Sequence, residues 1–141
     1  MTICPFCSIA ADKIISQNSL SFTVRDALPV SPGHTLILPK RHIASIFEVT
    51  NEEVTALWEA LQKARKELVK EFSPDGFNIS INDGLAAGQT ILHLHIHIIP
   101  RYEGDMPDPR GGIRWIFPDK AVYWKDWYHA ADPVIFCCLW K

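Results

Sequence analysis

Three histidines fall at alternate positions in "GQTILHLHIHIIPR", residues 88–101: His93, His95 and His97. Leu94, Ile96, Ile98 and Ile99 fill the positions around them. On an extended strand, residues i, i+2 and i+4 share one face. The imidazoles then line up while the aliphatic side chains enter the core. A polar strand face in contact with water is the plain explanation. It suits a lone histidine better than three backed by a full apolar set. Two kinds of chemistry suit the row. Imidazole is a common metal ligand. It is also largely neutral near neutral pH, so its free nitrogen can attack phosphorus or carbon without a separate base.

Catalysis on a polar substrate needs groups that hold it, and the preceding stretch "NDGLAAGQT" supplies them. Gly84 and Gly88 allow the backbone to come close to a ligand. Asn82, Gln89 and Thr90 offer neutral hydrogen-bond donors to phosphate oxygens. Ordinary hydrogen bonding within a hairpin loop accounts for the same residues, Gln89 above all.

"CPFC" is a second cluster. The two-residue gap between Cys4 and Cys7 lets both thiolates bind one zinc, which then needs two more ligands. His42, at the end of "PKRH", and His93 are candidates. Two rivals stand beside this reading. A redox Cys-x-x-Cys follows a strand and opens a helix, and no strand is read before Cys4. The pair could also be inert thiols. Cys137 and Cys138 are adjacent, lack a histidine partner in spacing and are assigned no metal.

These residues need a scaffold. "LSFTVRD", residues 20–26, alternates apolar and polar residues and reads as a strand, as does "TLILPK", residues 35–40. Thr50 and Glu53 form a capping-box pattern. Val54, Leu57, Leu61, Leu68 and Phe72 then recur at helical spacing, predicting a helix over 51–72 with one buried face. "SPDG" breaks it, "FNISIN" alternates again, and residues 77–99 read as an antiparallel hairpin. Strands with a helix against them predict an α+β domain, its antiparallel sheet covered by one main helix. Residues 1–101 form the expected core. Residues 102–141 form an extension holding four of the five tryptophans, read as packing on the core or on a partner subunit.

Composition narrows the classes. The 141 residues suit one compact domain. A net charge of -2 argues against a general electrostatic grip on nucleic acid. No run approaches a membrane-spanning length, and "MTICPFCSIAADK" lacks the pattern of a secretory signal. The expected compartment is the cytoplasm, where thiols stay reduced.

Taken together, "HLHIHII", "RDALPVSPGHTLILPKRH" and "INDGLAAGQT" resemble the signature of the histidine triad (HIT) superfamily of nucleotide hydrolases and transferases. The resemblance covers residues 1 to about 101. "PDPRGGIRW" followed by "YW" is similar to the C-terminal extension of a bacterial branch of that superfamily. It implies a HIT-like fold and a homodimer to which the helix contributes, with Trp58 available for that contact or for core packing. It implies that His95 attacks the α-phosphorus of a nucleotide and forms a covalent nucleotidyl-histidine, which water resolves to nucleoside monophosphate, AMP by expectation. His97 would contact phosphate and assist the leaving group, and His93 would support His95. Asp26 would bind the ribose hydroxyls, unless it is only a turn residue at a strand end. Asn82, Gln89 and Thr90 would hold phosphate oxygens, and His34, behind the triad, would orient. Branches with an N-terminal Cys-x-x-Cys bind structural zinc through groups matching Cys4, Cys7, His42 and His93. No catalytic cofactor is required. The expected substrates are dinucleoside polyphosphates or nucleoside phosphoramidates, with neither nucleic acid nor membrane as partner. Two other readings stay open: a nucleotide sensor with little turnover, and a zinc enzyme whose triad itself holds the metal.

Overall fold

The structure is a computed structural model and describes residues 4–124. Five strands form one antiparallel sheet in the order β1-β2-β3-β5-β4. They are β1 (Ile14–Gln17), β2 (Ser21–Arg25), β3 (Thr35–Pro39), β4 (Gly76–Ile81) and β5 (Ile96–Arg101). One long helix, α1 (Asn51–Phe72), lies between β3 and β4 in the chain. The expected α+β class, antiparallel sheet and single main helix are all present. Contacts divide the chain after Asp105 into two compact units, and the sheet and α1 belong to the first. Among the described residues, no helix is long and apolar enough to cross a membrane.

The helix starts where its side chains dictate. Thr50 accepts from the Glu53 N–H, and Glu53 returns the contact to the Thr50 N–H at 2.9 Å. Glu53 is buried and also takes a two-point contact from Arg41, at 2.9 and 2.7 Å. That contact holds its carboxyl down at about 2. The helix ends at Ser73, which adopts the left-handed conformation. Ala56, Leu57, Ala60, Leu61, Ala64 and Leu68 are buried, and Leu57, Leu61 and Leu68 pack with Leu94 and with Ile37, Ile96 and Ile98 of the sheet. Val54 departs from the expected stripe: it is exposed, and so is Trp58, which excludes intrachain core packing for that ring.

The opposite face of the sheet carries a second apolar cluster. Phe22, Val24, Leu36 and Leu38 pack there with Phe6, Ile9 and Ile14 from the N-terminal segment. Strands β2 and β3 are therefore covered on both faces, α1 on one side and residues 6–14 on the other. The register places Ile14 opposite Val24, Val24 opposite Leu36, Leu36 opposite His97 and His97 opposite Ser80. This single cross-sheet row runs beneath the candidate site.

Two expectations need correction. Strand β1 has no counterpart in the sequence reading. The histidine strand also begins later than expected, at Ile96, so only His97 lies on β5. Pairing with β3 and with β4 stops at Ile96. Residues 93–95 continue without a strand neighbour, and the Leu94 N–H turns to the Ile43 carbonyl.

In the second unit, the Arg110 guanidinium stacks 4.4 Å from the Trp124 ring centroid, and the Trp115 indole N–H donates to the Arg110 carbonyl at 2.8 Å. A short helix, α2, covers Pro118–Ala121. Trp127, Trp140, Cys137 and Cys138 lie outside the described residues.

Candidate active site and metal-ligand cluster

The three triad residues are buried or half-buried, not an open polar face: His93 is 0% exposed and His95 8%. Each ring is fixed by a different partner. His95 Nδ1 lies 2.7 Å from the His93 carbonyl oxygen. A carbonyl only accepts, so Nδ1 carries a proton, and in the neutral ring the lone pair is on Nε2. His93 Nε2 lies 2.9 Å from the Pro39 carbonyl oxygen, so its proton is on Nε2 and its lone pair on Nδ1. Burial is the main cause that lowers the His93 pKa and keeps the ring neutral.

His97 is set through His34. The Val30 N–H donates to His34 Nδ1 at 3.3 Å. Burial lowers the His34 pKa, opposed by the Asp26 carboxylate, so the neutral ring carries its proton on Nε2. That nitrogen is 3.0 Å from His97 Nδ1. Burial, with His95 and His34 adding to it, pushes His97 down to about 4. His97 is thus neutral, accepts at Nδ1 and is left with an Nε2–H donor. His34 reaches this position through "SPGH". Gly33 has a φ of +84°, and a Cβ there would meet the Leu68 side chain at 2.9 Å, so the turn needs glycine against α1.

His95 and His97 line a cavity of about 690 Å³ with Thr90, Asp26, Phe6 and Leu36. Phe6 stands edge-on to His95, 5.2 Å between centroids. Asp26 has two roles. Its Oδ1 accepts from the Leu28 N–H at 2.8 Å, the turn contact that an ordinary strand-end residue makes. Its side chain also faces the cavity and stands 3.5 Å from His34 Nδ1. The three residues expected to hold phosphate oxygens are placed differently from one another. Gln89 is buried, with Oε1 accepting from the Gly84 N–H at 2.9 Å and Nε2 donating to the Ala44 carbonyl at 2.8 Å. It braces the loop. Asn82 is not in the cavity wall, whereas Thr90 is.

Cys4, Cys7, His42 and His93 converge, with one ligand atom from each lying within 4.8 Å of the others. Cys4 Sγ and Cys7 Sγ are 3.6 and 3.5 Å from His93 Nδ1, and Cys7 Sγ is 3.3 Å from His42 Nδ1. Tetrahedral zinc, with bonds of about 2.3 Å to sulfur and about 2.0–2.1 Å to nitrogen, sets sulfur and nitrogen about 3.5 Å apart. The donor set and spacing fit that ion. His93 turns its lone-pair nitrogen toward the cluster while the other nitrogen is held by a carbonyl, the arrangement usual for a metal-bound histidine.

Asp26, His34 and His97 form a second close group. Hydrogen bonds account for both His34 nitrogens, so this group is a fixed array. The triad rings bond to three different partners, and among the described residues their nitrogens do not form one close ligand group.

The sequence reading missed Phe6, which falls between the cysteines of "CPFC", and Asp83. Asp83 fastens the loop before the triad, accepting from Ser45 Oγ at 2.8 Å and from the Ile46 N–H at 2.9 Å. An aspartate before glycine is a signal for a turn and carries no hint of this long-range tie.

A row of buried and half-buried imidazoles lies beside a cavity on a five-stranded sheet. Residues 9–104 match the HIT domain, and the chain belongs to that family. A bis(5'-adenosyl)-triphosphatase from Dictyostelium discoideum is 41% identical over 97 residues, which are 69% of this chain and 65% of that protein. An adenylylsulfatase from Arabidopsis thaliana is 37% identical over 106 residues, 72% of this chain and 54% of that one. The chain thus spans less than two thirds of either relative. Among solved structures, a Zn-bound histidine triad family protein from Mycobacterium smegmatis superposes with a TM-score of 0.66 at 34% identity, covering 74% of this chain and 84% of that chain.

Proposed function

We propose that the protein is a nucleotide hydrolase that releases nucleoside monophosphate from dinucleoside polyphosphates or nucleoside phosphoramidates through a nucleotidyl-His95 intermediate. One observation carries this reading. His95 Nδ1 lies 2.7 Å from the His93 carbonyl oxygen, which selects the Nδ1–H tautomer and puts the lone pair of the neutral ring on Nε2, and His95 lines the cavity. The enzymatic names of the two relatives support it.

His95 Nε2 attacks the α-phosphorus, the N–P bond forms, and the bond from phosphorus to the leaving group breaks with its electron pair. The His95 ring becomes cationic, and its Nδ1–H bond to the His93 carbonyl strengthens as charge appears. His97 directs its Nε2–H to the leaving-group atom where negative charge develops, oxygen in a polyphosphate or nitrogen in a phosphoramidate, which departs protonated in the second case, and the Thr90 hydroxyl contacts the phosphate. Asp26 accepts from the ribose hydroxyls. Water then attacks phosphorus, the N–P bond breaks, and its pair returns to Nε2. The proton lost by water leaves with the product or to solvent.

Cys4, Cys7, His42 and His93 would hold structural zinc. The ion would supply a cross-link between the N-terminal segment, residue 42 and the triad, and no step of the reaction runs through it. The exposed Val54 and Trp58 on α1 support the expected homodimer contact. The test is turnover: incubation with a dinucleoside polyphosphate or a nucleoside phosphoramidate releases monophosphate many times over per protein molecule. Stable binding of the intact substrate without product would support the sensor instead.

A further inference from the structure

Lys13 lines the same cavity, and its place in the fold gives it a use. The cross-sheet row starts at His97 and passes Leu36 and Val24 to Ile14, the residue after Lys13. Three strand spacings separate the ends, about 14 Å. If phosphorus sits at His95 and His97, and ribose at Asp26, the base lies over the apolar ground of Val24, Leu36, Phe6 and Ile9. Lys13 stands beyond it, at the sheet edge.

Among the described residues the cavity wall has one other basic side chain of the lysine and arginine type, Arg25, and it is already engaged. Arg25 donates to Thr35 Oγ1 and Glu71 Oε2, both at 2.6 Å, and its guanidinium stacks on Phe72. No ion pair or side-chain hydrogen bond engages the Lys13 ammonium among the described residues. It is therefore the cationic donor left for the edge of a base. An ammonium only donates. Guanine presents O6 and N7, two acceptors, along one edge, whereas adenine presents N7 beside an amino donor.

We propose that Lys13 is a specificity-determining residue that makes the site prefer guanine nucleotides to adenine nucleotides. This rests on the nucleotide reading above. An exposed lysine gives the low end of a base-edge contact, about fivefold in the ratio of the two.

The experiment measures kcat/KM for guanosine and adenosine 5'-phosphoramidates, and calorimetric binding of GMP, IMP and AMP, for wild-type protein, Lys13→Met and Lys13→Glu. Wild-type protein should favour guanosine about fivefold, and IMP, which keeps O6 and N7 but lacks the 2-amino group, should bind like GMP. Lys13→Met should bring the guanosine-to-adenosine ratio to about one by weakening guanosine alone, and Lys13→Glu should invert it. A wild-type ratio near or below one overturns the proposal. So does a ratio unchanged in Lys13→Met, or equal weakening for both bases, which would place Lys13 on a phosphate. In each case the nucleotide reading survives, because both nucleotides still bind. Failure of wild-type protein to bind or turn over any of them overturns both.

Discussion

Replacing His34 with leucine tests how the site sets the protonation of His97. His34 is 4% exposed and meets the cavity residues His97, at 3.0 Å, and Asp26, at 3.5 Å. Leucine fills similar space and removes the donor. His97 Nδ1 is then left without a partner, or the ring moves its proton to Nδ1 and presents a lone pair, not a donor, to the reacting phosphate. A buried polar atom left unsatisfied costs about 1–3 kcal/mol. A loss of the same order is expected at the transition state when the Nε2–H donor is missing from the phosphate oxygens, where charge is then largest, and about 1.4 kcal/mol corresponds to a tenfold change in rate. His34→Leu should therefore lower kcat by about 5- to 150-fold. Steady-state kinetics on a nucleoside phosphoramidate gives kcat and KM, while circular dichroism and monophosphate binding report on the fold and the ground state, both expected to change little. His34→Gln, whose carboxamide N–H can donate again, should recover part of the loss. A kcat for His34→Leu within about twofold of wild type, or a loss confined to KM, would refute the assignment of the His97 tautomer through His34.

Asp26→Ala should weaken nucleoside monophosphate binding about tenfold and leave 2',3'-dideoxy nucleotides nearly unaffected, as titration calorimetry would show; equal weakening of both would assign Asp26 to the turn through Leu28 alone. Protein purified without added zinc should carry about one zinc per chain, and Cys7→Ser should lose it and melt at a lower temperature; a well-folded wild-type protein with almost no zinc would remove the metal. Acid should act late on His97. Its pKa is lowered from 6.5 to about 4, so the neutral form persists as pH falls through 6.5 and its share of activity disappears only toward pH 4. A pH series of His97→Ala against wild type would show this, and a His97-dependent loss centred near 6.5 would contradict it.

Much of the fold was legible because it is local. Thr50 and Glu53 mark the start of α1, and the apolar spacing to Phe72 carries it to its end. The alternation in "FNISI" and the apolar run "TLILP" match β4 and β3. Strand β1 was not legible: it has four residues, pairs only with β2 and shifts register between Ile14 and Ser16, so its side chains show little contrast. The alternation of the triad predicted the side-chain faces correctly but not the strand boundary, because the pairing that ends at Ile96 is a property of β3 and β4. The gap between Cys4 and Cys7 pointed to a pair able to share one ligand site, and the structure brings both thiols together with His42 and His93. The engagement of Gln89 with Ala44 and Gly84 was not legible, because an amide that braces a loop and one that grips a phosphate look alike in sequence. Lys13 and Phe6 reach the cavity only when residues 6–14 fold across the sheet.

The central claim is that His95 becomes covalently nucleotidylated, and trapping the adduct tests it directly. Wild-type protein quenched during turnover and digested should yield the peptide containing His95 with the added mass of one nucleotidyl group. The adduct should be absent from His95→Ala, which should still bind nucleoside monophosphate but lose nearly all turnover. An adduct on another residue, or near-normal hydrolysis by His95→Ala, would contradict the account and place the attack with another group or with water itself.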